Sequence, residues 1–251
     1  MIKINNMIKR ALYRIAIIPA IRPISRRVYR AAMIYDSKHS DPVVVVDGGF
    51  CIKRSISLLR DPFGLQGRVP IYEPEVRQAI REILAEGGIA VDVGANIGYH
   101  TVLMSSLADQ VIAIEPEPSN LELLKYNLKC NACENVEVVP HAISNVSKTT
   151  RLYLDPESAG SHSIVVQRSD EYVDVQCIRL DGILPPGRLR LLKMDIEGGE
   201  YDAILSLGDR LNDIDYIIYE HLSESRDPKT ILLGFEISKL DEANFMARVV
   251  R

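Results

Sequence analysis

The chain has 251 residues, 47% of them hydrophobic and 25% charged, a globular composition that excludes a disordered chain, a collagen-like chain and a minimal disulfide scaffold. A chain of this length buries most of its apolar surface without covalent staples, so its four cysteines are not needed to hold it together. The formal net charge of -4 is unevenly spread: eight basic residues and no acid occupy the first thirty positions, leaving 22 basic against 34 acidic residues in a body that repels phosphate polyanions, so no nucleic-acid partner is expected.

At the N-terminus Ile4, Met7, Ile8, Ala11, Leu12 and Ile15 recur three and four residues apart with Lys3, Lys9, Arg10 and Arg14 between them. This is the spacing of an amphipathic helix, which Pro19 and Pro23 end. A second short helix is expected over 25–35. The arm suits packing on the domain or on a second copy in a homodimer, and its basic face also suits peripheral contact with an anionic membrane. No stretch approaches the roughly 18 uncharged residues of a membrane span, and no secretory cleavage pattern is present, so a cytoplasmic chain is expected. Residues 43–46 and 50–56, either side of Asp47, Gly48 and Gly49, read as a β-hairpin. Residues 1–69 are therefore set apart as an N-terminal extension and 70–251 as the main domain.

From Pro74 strand and helix signals alternate, the pattern of parallel strands with helices on both faces of the sheet, an α/β fold. Val76, Ile80, Ile83 and Leu84 form a helical stripe ended by Gly87 and Gly88. Strands are expected at 89–93, 111–114, 136–139, 189–194 and 214–219, and helices at 97–107, 118–130 and 200–207. Residues 151–154 and 172–178 alternate like an antiparallel excursion around a loop rich in Ser, Gly and His. Asp227 and Pro228 open another helix that Gly234 stops, and 235–240 with 245–250 form the last hairpin of a seven-stranded core.

The segment VDVGANIGYHT, from Val91 to Thr101, runs from a strand through a glycine-punctuated turn into a helix, the place where open α/β sheets collect ligands. Gly94 and Gly98 let a ligand approach the backbone, and the free N–H groups opening the helix near Tyr99 attract an anion. A dinucleotide-binding turn has glycine where this one has Asn96, which argues against NAD. A ligand carrying a carboxylate and a cationic amine fits better, with Asp92 available to the positive end. Glu115 ends the next strand 23 residues after Asp92, near the spacing at which an acid grips ribose hydroxyls. An amino acid joined to a nucleoside describes S-adenosylmethionine.

VDVGANIGYHT, then IEPEP at 114–118 with LKYNL at 124–128, HAIS at 141–144 and LKMDIEGGE at 192–200, preceded by YEPE at 72–75, together resemble the successive motifs of the FkbM-type methyltransferases over about residues 70–222. The resemblance implies a class I methyltransferase fold, a Rossmann-like, mostly parallel seven-stranded sheet with helices on both faces, and S-adenosyl-L-methionine as cofactor. It implies O-methylation of a hydroxyl on a small-molecule or glycan acceptor such as a sugar or secondary metabolite. By position it places Asp92, Gly94, Asn96 and Gly98 along the methionine half, Glu115 on the ribose, Pro116 and Glu117 beside ribose and adenine, and His141 and Ala142 near the adenine. His141 suits an exposed loop equally well, and Asn127 is assigned to its helix.

An alcohol loses its proton as it takes a methyl group, so a base is expected beside the acceptor. Asp195 and then Glu197, at the end of the 189–194 strand, are the catalytic candidates, with His100 and His221 behind them. Glu200 is accounted for by the dipole of the helix it opens. Asp195, Glu197 and Glu220 also make a carboxylate set of the kind Mg²⁺ or Ca²⁺ chooses, although no metal is assigned. Cys130 and Cys133 have the spacing of half a zinc site with no second pair, and read as small buried residues at a helix end. The loops near Gly48 and at 158–163 are candidates to cover a substrate. Two other classes stay open: an RNA or protein methyltransferase docked by the basic arm, and a non-catalytic nucleotide-binding module.

Overall fold

A computed structural model describes residues 43–45, 51–53, 72–155, 161–167, 169–222 and 225–250. The chain divides into two units, residues 1–72 and 73–251. In the first, β1 (Val43–Val45) and β2 (Cys51–Lys53) pair antiparallel with Val44 opposite Ile52, as the hairpin reading requires. The two arm helices expected before residue 36 and the Gly48 turn lie outside the described residues.

The second unit opens with α1 (Pro74–Ile83), whose proline sits in the first turn where a missing N–H is harmless. Then follow β3 (Ile89–Val93), α2 (Tyr99–Ser105), β4 (Gln110–Ile114), α3 (Pro118–Cys130) and β5 (Val136–Val139). The chain leaves the main sheet through β6 (Ala142–Ile143), β7 (Lys148–Tyr153) and β8 (Tyr172–Ile178). It returns as β9 (Leu189–Met194), α4 (Glu200–Leu205), β10 (Ile214–Glu220), β11 (Phe235–Lys239) and β12 (Asn244–Val249).

The seven-stranded sheet has the order β11-β12-β10-β9-β3-β4-β5. Strands β3, β4, β5, β9 and β10 run parallel, and β12 is antiparallel to both β10 and β11. This is the class I methyltransferase topology, with helices on both faces. The chain winds outward from β3 through β4 to β5, then crosses back to start again at β9 on the other side of β3. The tips of β3 and β9 therefore flank the switch point, the crevice where doubly wound sheets bind ligands.

Strand alternation decides what faces that crevice. Val91, Val93, Leu192 and Met194 point into one core with Ala203, Ile204 and Leu207 from the α4 side. Asp92 and Lys193 alternate with them and so belong to the other face, where Thr101 of α2 reaches Asp92. The excursion forms its own three-stranded sheet in the order β6-β8-β7, with β7 antiparallel to β8. Ala142, Leu152, Val175 and Cys177 make its small core.

Three sequence expectations change. The helix expected after Asp227 is only a 3₁₀ turn over Pro228–Thr230, capped by the Asp227 carboxylate. Helix α2 is shorter than 97–107, since Gly98 adopts φ 89 and acts as its N-cap. Cys130 is exposed and Cys133 half-buried, both as free thiols, so the pair is not the buried one expected. Among the described residues no helix is long and apolar enough to cross a membrane.

Candidate active site

The turn after β3 is built on a close approach of two strand ends. Gly94 and Ala95 both donate their N–H to the Ile114 carbonyl at 2.9 Å, which bends the chain over the tip of β4. Gly94 takes φ 79, and a Cβ there would stand 1.9 Å from the Asp195 carbonyl oxygen. Gly98, at φ 89, would place a Cβ 2.8 Å from Leu124 of α3. The space expected to admit a ligand at these two glycines is thus filled by the protein itself. They serve first to bring β9 and α3 against the turn, and any ligand meets the backbone from another side.

Glu115 is the second anchor of the turn. Its Oε2 accepts the Asn96 N–H at 2.8 Å and its Oε1 the Glu117 N–H at 2.9 Å. Burial pushes this carboxyl up to about 7, against the lowering effect of those two backbone hydrogen bonds and with a further push from Glu117. Glu117, expected beside ribose and adenine, is engaged as the N-cap of α3, accepting the Asn120 N–H at 2.6 Å. Pro116 lies between them, partly exposed. Asn127 sits in α3 as expected, and its amide donates to the Ile97 carbonyl at 2.6 Å, tying the turn to the helix. His141 is half-buried with its Nδ1 enclosed and given no hydrogen bond among the described residues, while the Ala142 side chain packs into the small sheet.

Asp92 and Lys193 are directly opposite each other in the β3–β9 ladder. Both are fully or almost fully buried. Asp92 Oδ2 accepts the Thr101 hydroxyl at 2.6 Å, and its Oδ1 faces the Lys193 ammonium at 3.6 Å. The same ammonium lies 3.4 Å from Asp195 Oδ2, two residues along the strand. Burial alone would lower the Lys193 pKa, but Asp195, Asp92 and Glu73 more than offset it, so the net displacement is upward and the group is a fixed cation. Asp195 is raised above the usual carboxylate range by burial, and Glu73 adds to this, while Lys193 and His100 oppose it.

A brace from outside the sheet closes this face. Glu73, in a left-handed conformation just before α1, accepts from His100 Nε2 at 2.7 Å and from the Asn244 amide at 3.0 Å. Despite its burial, these contacts and the nearby Lys193 hold its carboxyl down at about 2. His100, a reserve base candidate, is committed to this pair. His221 donates its N–H to the Ala243 carbonyl and has Ser225 Oγ 3.3 Å from its Nδ1, at the tip of β10.

Beyond β9, Glu197 adopts φ 55, and the Glu200 carboxylate folds back to accept the Ile196 and Gly198 N–H groups at 2.8 and 3.1 Å. Glu200 is therefore a loop-closing residue, pushed up to about 7 by burial. Ser163 donates to the Glu197 carbonyl at 2.8 Å, which brings the described part of the Ser/Gly/His loop onto this turn; residues 156–160 lie outside the description. Asp195, Glu197 and Glu220 each offer a carboxylate oxygen within 4.8 Å of the others. Glu220 is pushed up to about 8 by burial and then by Asp195, Glu197, Glu200 and Glu73. Such a group can hold a proton near neutrality or receive one.

The structure thus brings Asp92, Gly94, Asn96 and Glu115 around one turn, and Asp195, Glu197 and Glu220 around its neighbour. Lys193 and Glu73 were not singled out from sequence. A lysine inside the apolar run Leu191, Leu192, Met194 was the available signal, because a buried ammonium requires carboxylates around it.

Residues 92–245 match the methyltransferase FkbM domain. The chain is 27% identical over 180 residues to the hexuronic acid methyltransferase AglP of Haloferax volcanii, covering 67% of this chain and 73% of that one. It is 26% identical over 180 residues to methyltransferase 1 of Beauveria bassiana, covering 59% of this chain and 72% of the relative. Among solved structures, the methyltransferase FkbM of Methylobacillus flagellatus is similar with a TM-score of 0.48 and 18% identity, over 65% of this chain; the chain spans 44% of that one.

Proposed function

The chain belongs to the methyltransferase FkbM family, and we propose that within it this protein transfers the methyl group of S-adenosylmethionine to a hydroxyl of a saccharide or saccharide-bearing metabolite. The observation that carries the reading is the pairing of two acid-rich strand tips at the switch point, one beside the β3 turn and one beyond β9.

The residues fit the donor. Among the described residues Asp92 keeps a buried oxygen that accepts no hydrogen bond and faces only the Lys193 ammonium at 3.6 Å, the kind of acceptor a cationic ligand also satisfies, and Asp195 and Glu73 act on that ammonium as further negative groups. Glu115 offers ribose hydroxyls a carboxylate already fixed by two backbone N–H groups. We assign Asn96, Gly98, Pro116 and His141, which follow β3, β4 and β5, to the rest of the lining, with Ala142 offering only its backbone because its side chain packs into the small sheet. When bound, the donor supplies a methyl group on a sulfonium that needs no further activation.

The protein's part is to place the acceptor oxygen and take its proton. Asp195, raised above the usual carboxylate range, is a stronger base than an exposed aspartate and is the group assigned to the hydroxyl. Glu197 and Glu220 stand close enough to pass that proton on. Orienting the hydroxyl for in-line displacement lowers the barrier further by removing translational freedom.

The name of the Haloferax relative supports a sugar-like acceptor, and a hexuronic acid offers two nucleophiles, a hydroxyl and a carboxylate. Methylating a carboxylate needs no base and would set an anion against three carboxylates. The acid-rich site therefore favours the hydroxyl. The test is incubation with methyl-labelled S-adenosylmethionine and a panel of neutral hexosides, hexuronosides, RNA and a protein extract. Label in a sugar that survives mild alkali, as an ether does, supports the reading; alkali-labile ester label, or label only in RNA or protein, contradicts it.

A further inference from the structure

The donor, a sulfonium, carries one more positive charge than its product, a neutral thioether, and a methyltransferase has to bind the first and release the second. One buried cation stands among the carboxylates of the site. We propose that Lys193 sets the discrimination between cationic donor and neutral product, by balancing the carboxylates of Asp92 and Asp195 that face it from β3 and from its own strand end.

The register makes this more than a chance contact. Lys193 and Asp92 are paired across the β3–β9 ladder, and Asp195 lies two residues on, hence on the same face. The ammonium is 3.6 Å from one carboxylate and 3.4 Å from the other, with its side chain only 4% exposed. Glu73 acts on it as a third negative group, and Glu73 in turn accepts from His100 Nε2 at 2.7 Å. A buried ammonium is retained only when its surroundings compensate its lost hydration, and here that compensation comes from the strand tips that flank the switch point. Lys193, Asp92 and Asp195 together sum to one negative charge; without the lysine the two carboxylates sum to two. Because Lys193 and Asp92 are buried, that extra charge is weakly screened and acts on a cationic ligand far more than on a neutral one.

This inference rests on the donor reading above, and its test separates the two. Calorimetric titrations at about pH 8.5 compare S-adenosylmethionine, sinefungin as a stable amine-bearing analogue, and S-adenosylhomocysteine on the full-length protein. In Lys193→Met the preference for the two cationic ligands over S-adenosylhomocysteine should rise by about tenfold, and in Lys193→Arg it should stay within about twofold of wild type. Lys193→Gln, whose amide still donates to the carboxylates, is made alongside in case methionine prevents folding, and should show the same rise. Asp195→Asn should move the preference the opposite way. Cationic and neutral ligands weakened by the same factor would mean that Lys193 only supports the fold, and would overturn the inference while leaving the donor reading standing. Absence of heat with all three ligands on wild type would overturn both.

Discussion

Gly94 and Asp195 touch through the backbone: the position a Cβ of Gly94 would take lies 1.9 Å from the Asp195 carbonyl oxygen. The turn proposed for the donor and the residue proposed as base are thereby held in one fixed relationship, because neither strand end can move without the other.

Gly94→Ala should break that relationship. Both the left-handed φ of 79 and the overlap oppose a methyl group there, so the tips of β3 and β9 must separate. A loss of about 2–4 kcal/mol is expected in urea unfolding, from strain and overpacking together. S-adenosylhomocysteine affinity should be lost with it, as read by calorimetry on protein that remains folded.

Glu115 predicts a pH dependence of ligand binding. Its carboxyl is pushed up to about 7 by burial, and ribose hydroxyls donate more strongly to its ionised form than to the neutral one. Affinity for S-adenosylhomocysteine should therefore be full above pH 7 and fall as pH drops through that value. Glu115→Gln should bind roughly 10- to 100-fold more weakly at pH 8, the loss of a charged hydrogen-bond acceptor, with a flat profile below it. A wild-type profile unchanged between pH 8 and 6 contradicts this role.

Asp195→Asn should lower kcat by about 10²–10⁴-fold, the usual range for removing a general base, while leaving S-adenosylhomocysteine affinity within a few-fold of wild type. Because Asp195 is raised by burial, the acid limb of kcat in the wild-type protein should lie above the range of an ordinary aspartate. Glu197→Gln should have the smaller effect. Equal activity of Asp195→Asn and wild type would move the base to Glu220.

Glu73 should report on stability. Its folded value of about 2 lies below the ordinary 4.5, burial being outweighed by His100, Lys193 and Asn244. A depressed carboxyl stabilises the fold above its unfolded value and loses that contribution as pH falls toward the folded one. Glu73→Gln should thus be less stable than wild type by about 3 kcal/mol near pH 6, the equivalent of the shift. The gap should close between about pH 4.5 and 2. Urea unfolding of both proteins across that range checks it; a gap independent of pH would mean that shape, not charge, makes the brace.

Most of the main domain could be read from periodicity. Strand β3 at 89–93, strand β5 at 136–139 and helix α3 at 118–130 have the expected bounds, because apolar runs and the proline at the helix start are local signals. The antiparallel excursion was visible in the alternation of β7 and β8. What local signals could not give was the partner of each polar group. Gly94 and Gly98 looked like ligand-approach glycines, yet their neighbours are Asp195, 101 residues away, and Leu124 of another helix. Glu73 meets Asn244 across 171 residues, and nothing in YEPE announces that contact. The segment after Asp227 carried a good helix start and a good stop, yet only the 3₁₀ turn at Pro228–Thr230 forms between them.

The central claim is that S-adenosylmethionine and its product occupy the crevice between the tips of β3, β4 and β9. Calorimetric titration of S-adenosylhomocysteine into wild type and Asp92→Ala at pH 8 tests it most directly. One molecule bound per chain, with binding sharply weakened by the substitution in a protein whose melting remains cooperative, is the predicted result. No heat with wild type, or equal affinity in both proteins, would contradict it.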